Sequence, residues 1–153
     1  MNAKNISIAA ILLWLISASA LGFKFFTGST EKALDGRSAV VVSHSERVLV
    51  LSEMRTMLAG IQGILLGMEK SDVNLIETSA VNAGTKIMVD LNPELMMKLP
   101  AGFKSQGIAV HKGFDAIAEA ARSGKSKDEI LKMVNSQLSS CVACHNDFQL
   151  KGE

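Results

Sequence analysis

Residues 126–148 read SKDEILKMVNSQLSSCVACHNDF. Ser126 and Glu129 form a capping box, in which the hydroxyl accepts the N–H three residues on and the glutamate reaches back. Ile130, Val134, Leu138, Cys141, His145 and Phe148 then recur at steps of three or four. That is the spacing of one face of a helix. Cys141 and His145, one of the chain's three histidines, therefore ride on an apolar helical stripe, with Cys144, the only other cysteine, three residues after Cys141.

The same period recurs upstream. Ser43 and Glu46 form another capping box, and Leu51, Met54, Leu58, Ile61, Leu65 and Met68 follow as a stripe. Gly67 and Ser71-Asp72 mark the end of that helix. Val73, Ile76, Ala80, Ala83 and Ile87 make a second, small-residue stripe that lets a neighbour approach closely. The stretch 90–103 breaks the pattern: Asn92-Pro93 reads as a cap and first helical position, and Pro100 as a stop. Phe103, Gly107, Val110, Phe114, Ile117 and Ala121 form the next stripe, ended by Ser123-Gly124. Only Ala39–Val42 looks strand-like. Four amphipathic helices with short links predict an all-α fold, an antiparallel four-helix bundle over residues 43–153.

Composition agrees. The 153 residues suffice for one domain, 48% are hydrophobic and only 5% aromatic, and prolines occur at two positions. The net charge of +1 offers no field to attract nucleic acid.

Residues 6–23 carry no charge and are flanked by Lys4 and Lys24. Such a helix is about 27 Å long, close to the thickness of a bilayer's hydrocarbon core. Residues 1–27 fit a signal peptide cut near Ala20, after Ala18-Ser19-Ala20. They fit better an uncleaved anchor crossing the membrane through residues 6–26, because apolarity continues through Phe25 and Phe26 and Lys24 can snorkel. A buried core helix would not be apolar on every face. Either favoured reading exports the rest of the chain, with residues 28–42 as a polar tether.

Cys141-Val142-Ala143-Cys144-His145 is a C-x-x-C-H motif, which reads as a covalent haem c attachment. On a helix the two thiols share a face and can each add to one vinyl group of a porphyrin. His145 emerges beside them as the proximal iron ligand. Three other uses are weaker. A disulfide across three helical residues is strained. A thioredoxin-like dithiol needs a βαβ setting. A zinc site drawing on distant His111 or His44 would use a loop knuckle. No carboxylate pair, Ser-His-Asp set or phosphate loop marks the chain as an enzyme.

With "CVACHNDF", "EMRTMLAGIQGILLGMEKSD" and "LPAGFKSQGIAVHKGFDAIAEAA" in view, the chain resembles the class II c-type cytochromes, the cytochrome c-prime family, over roughly residues 43–150. The resemblance implies a periplasmic electron-transfer protein with one haem c, whose iron cycles between Fe(III) and Fe(II). In a five-coordinate branch it implies a module binding nitric oxide or carbon monoxide instead. The distal ligand is expected from the first bundle helix. Met54 sits where the family places that residue, and Met57 is the second choice; together with His145, Met54 would make the low-spin, six-coordinate branch. Arg47 and Arg55 stand in as partners for a haem propionate. Leu51, Leu58, Ile76, Ala80, Phe114, Leu138 and Phe148 are candidate walls. Expected partners are redox proteins of a respiratory or photosynthetic chain, and family members often form a homodimer. The expected location is the periplasmic side of the bacterial inner membrane.

Overall fold

The computed structural model describes residues 3–90 and 92–153; Met1 and Asn2, the start of the expected leader, and Leu91, in the expected break, lie outside them. Helices dominate: α1 (Ala3–Thr27), α2 (His44–Lys70), α3 (Val73–Ala83), the short α4 (Pro93–Lys98), α5 (Ala101–Arg122) and α6 (Lys127–Asp147). The local signals act as the sequence suggests. Both capping boxes form, at Ser43/Glu46 and Ser126/Glu129, and Asn92 caps α4 with Pro93 in its first turn.

The fold is not all-α. Thr30–Lys32 (β1), Ser38–Val42 (β2) and Phe148–Gly152 (β3) build a small sheet in the order β1-β2-β3. β1 and β2 are antiparallel; β2 and β3 are parallel, pairing Ser38 with Phe148 and Val42 with Gly152. Residues 28–42 are therefore an ordered hairpin where a loose tether was expected. The cause is the run Ala39–Val42, every residue of which is buried. A β-branched run of that kind gains more from packing against a core than from hydration.

Two clusters hold the domain together. The larger joins Ile61 and Ile64 of α2, Ile76, Ala80 and Ala83 of α3, Val110, Phe114 and Ile117 of α5, and Ile130 and Val134 of α6. The smaller joins Val40 and Val42 of the sheet to Val50, Leu95 and Leu99, with Met54, Phe103, Phe148 and Leu150 packed on it. The α5 stripe is core as expected from Val110 onward. The expected α2 stripe is core only in part: Ile61 is buried and Met68 packs against the larger cluster, but Leu58 is 67% exposed and Leu65 41%. The true core face is rotated onto Val50, Ile61 and Ile64, with Gly60, Gly63 and Gly67 beside them. A Cβ on Gly60 would sit 2.7 Å from that of Ala83, so glycine lets α2 and α3 close together. Val73 is also exposed, and Ile87 falls in a 3-10 turn beyond the end of α3.

Candidate functional site

The rotation of α2 leaves Leu51, Met54 and Leu58 outside the main core. The α6 stripe makes a matching departure. Ile130 and Val134 are buried, but Leu138 is 39% exposed and neighbouring Val142 60%. The two displaced stripes face each other across an apolar crevice of ≈ 580 Å³, lined by Leu51, Met54, Met57 and Leu58 on one side and Leu138, Cys141, Val142 and His145 on the other. Cofactor pockets run to roughly 300–1,000 Å³ and are mostly apolar. Exposed apolar patches rimmed by polar residues are typical of ligand grooves and interaction surfaces.

Two smaller spaces adjoin it. An inner one of ≈ 90 Å³ lies among Val50, Glu53, Met57, Phe103, Gln106, His111, Cys141 and Cys144. Another of ≈ 180 Å³ opens toward the sheet, beside Arg37, Arg47, Cys144 and Phe148. Met54 and His145 line all three spaces. The expected site residues are thus brought together: Cys141 borders the crevice and the inner space, Cys144 the two smaller spaces, and Met57 the crevice and the inner space. Arg55 lies on the crevice wall and Arg47 at the sheet end. Of the expected walls, Leu51, Leu58 and Leu138 line the crevice and Phe148 the sheet-side space, whereas Ile76, Ala80 and Phe114 belong to the main core.

Both thiols are free. Burial pushes their pKa up, further aided at Cys144 by the neighbouring Cys141 and Asp147. Thiols held protonated in apolar surroundings are poor redox nucleophiles, which speaks against an exchange dithiol. A zinc site finds no support: no group of three or more His, Cys, Asp or Glu side chains is gathered for a metal among the described residues. His44 is exposed at the start of α2. His111 lies inside the bundle. It is 4% exposed, with Nδ1 2.8 Å from the Ala83 carbonyl oxygen.

Two participants were invisible to sequence reasoning. Gln106 Oε1 is buried without a hydrogen-bond partner among the described residues, on a residue that lines the inner space. An acceptor left so costs roughly 1–3 kcal/mol, relieved when a water or bound group donates to it. Arg37, from the presumed tether, donates through Nη1 to the carbonyl oxygens of His145 (3.2 Å) and Phe148 (3.5 Å). Its Nη2 donates to Gln149 Oε1 (3.1 Å), and its Nε to Asp35 Oδ2 (2.8 Å). A guanidinium on the last carbonyls of α6 satisfies acceptors that the helix leaves unpaired and complements its dipole. Arg37→Ala is expected to lower stability by about 1 kcal/mol. It should also raise amide exchange at residues 145–149, read by urea unfolding and hydrogen exchange; unchanged exchange there would deny Arg37 this role.

The crevice and the two spaces beside it together fit a covalently attached haem in their chemistry: apolar walls and the Cys141 thiol in the crevice, the Cys144 thiol in the adjoining spaces, and the His145 imidazole and the Met54 thioether lining all three. Fold and site define a mostly helical chain with an apolar N-terminal helix and a cysteine–histidine crevice. The chain matches no protein-family model, no curated protein and no solved structure.

Proposed function

We propose that this chain is a c-type cytochrome that carries electrons on the periplasmic side of a bacterial inner membrane, partnered by redox proteins of a respiratory or photosynthetic chain. One observation carries the reading. The apolar stripes of α2 and α6 leave the core to enclose a single crevice, and that crevice holds Met54, Cys141 and His145 together. When bound, the haem supplies reversible one-electron exchange.

The residues of the chain do the rest. Cys141 and Cys144 would hold the group through thioether bonds, and His145 and Met54 would supply protein ligands to its iron. Leu51, Leu58, Leu138 and Val142 exclude water from its faces. Arg55 and Arg47, which line the crevice and the sheet-side space, would supply cations for its carboxylates. Residues 3–27 retain the protein at the membrane: Lys4–Thr27 is apolar almost throughout, and its most apolar stretch has no buried residue. At 24 residues it is about 36 Å long, enough to cross a bilayer. His44–Lys70 is also long and apolar enough, but it packs its glycine face on α3 as a bundle helix does.

A second reading, a five-coordinate module for nitric oxide or carbon monoxide, draws on the ≈ 90 Å³ space beside Met54, which has room for a diatomic molecule. Absorption spectra of exported protein in both oxidation states, with its intact mass, test the proposal. A polypeptide of unmodified mass without a haem spectrum sinks both readings. A high-spin spectrum with rapid carbon monoxide uptake favours the second.

A further inference from the structure

We propose that the bundle stands end-on against a phospholipid surface with its crevice end at the membrane, held there by a rigid joint around Lys104. This rests on the reading of α1 as a retained membrane span, not on the identity of the cofactor.

The joint is built from several contacts. Lys104 is 8% exposed, an unusual place for an ammonium. Its Nζ donates to the Phe25 carbonyl oxygen at 2.6 Å and to that of Met96 at 3.3 Å, and lies 3.4 Å from the centre of the Phe25 ring. A cation in α5 thus grips the last turns of α1, where a helix presents unpaired carbonyls. Gly28 turns the chain with φ +65°, and a Cβ there would collide with the backbone at Lys98–Pro100. The Ser29 amide donates to the Lys98 carbonyl oxygen at 2.7 Å. Lys24 Nζ donates to the Gly28 carbonyl oxygen at 3.1 Å and to Ser29 Oγ at 2.8 Å. No free linker separates α1 from the domain.

The two spaces that adjoin the crevice are at the same end. Phe103, next to Lys104, lines the spaces shared by Met54 and His145 and stacks edge-on with Phe148 at 5.5 Å. Gln106 reaches Asp147 at 3.4 Å. The opposite end is the pair of turns where Lys127 Nζ donates to Ser71 Oγ at 2.8 Å. Counting along α2 from Met54 to Lys70 puts that end about 24 Å further off at 1.5 Å per residue. α1 meets the domain only through its last turns and is exposed from Lys4 to Leu21, so a bilayer around α1 meets the crevice end first. The partner that reaches the crevice most readily is then one confined to the membrane plane.

The test uses the full chain as matured in the periplasm, in phosphatidylcholine–phosphatidylglycerol vesicles containing headgroup nitroxide lipid. A bimane label is placed at Ser105→Cys, on the crevice end, or at Lys125→Cys, on the far turns. Quenching, taken relative to nitroxide-free vesicles, is expected to be several-fold stronger at position 105. A Gly-Ser insert of about six residues between Thr27 and Gly28, whose ends wander over roughly 13 Å, should largely abolish the contrast without altering the spectrum. Equal quenching at both positions, or a contrast that survives the insert, overturns the inference and leaves the cytochrome reading standing. Release of the chain by alkaline carbonate overturns the anchor and this inference together.

Discussion

Periplasm-matured protein with alanine at both Cys141 and Cys144 is expected to carry no covalent tetrapyrrole, while each single variant keeps one thioether bond. Intact mass after denaturation separates the double variant from the single ones, because a ligated but unlinked haem is lost in acid. The double variant should still fold, since neither cysteine belongs to either buried cluster. It should be less stable. Leu58 and Val142 are 67% and 60% exposed, and covering two such side chains contributes about 1.5–3 kcal/mol each. A loss of about 3 kcal/mol lowers the melting temperature by on the order of 10 °C in a domain of this size. A double variant that melts like the parent would mean that nothing large fills the crevice.

Met54→Ala should change the coordination of the site. Met54 lines all three spaces that His145 lines. Removing its sulfur should abolish the ferric sulfur-to-iron charge-transfer band, admit carbon monoxide to the reduced protein and lower the reduction potential by on the order of 0.1 V, within the roughly 0.8 V that axial ligation spans. Met57 is the internal control. It packs against the main core, so Met57→Ala should cost about 2 kcal/mol of stability and leave the spectrum intact. The reverse outcome would make Met57 the ligand. If neither variant changes the spectrum, the iron has no methionine ligand and the gas-binding reading takes precedence.

Helix boundaries were legible because their signals are local. Ser43 with Glu46, Ser126 with Glu129 and Asn92 before Pro93 each specify a start within four residues. The apolar stripe of α5 was equally plain. On α2, hydrophobicity does not equal burial. Leu51, Met54, Leu58 and Leu65 outweigh Gly60, Gly63 and Gly67 on any apolar scale, yet the glycines carry the closest helix contact. The motif residues were found from five positions, but the crevice around them depends on two stripes leaving the core together, which no single helix reveals. The sheet was hidden for a different reason. β2 pairs with a strand more than a hundred residues away, and neither Thr30–Lys32 nor Phe148–Gly152 alternates strongly enough to announce itself. Arg37 was lost with it, since its partners exist only once that pairing has formed.

The parallel ladder between β2 and β3 also restricts how the chain can change in length. Phe148 and Leu150 pack on the smaller core, while Lys151 points to solvent and pairs with Glu31. Adding or deleting one residue between His145 and Phe148 would exchange these faces and drive Gln149 and Lys151 toward Val40 and Val42. The interval between imidazole and strand is therefore as inflexible as the spacing inside the cysteine motif. Insertions should be tolerated instead at the exposed bend around Leu34, Asp35 and Gly36.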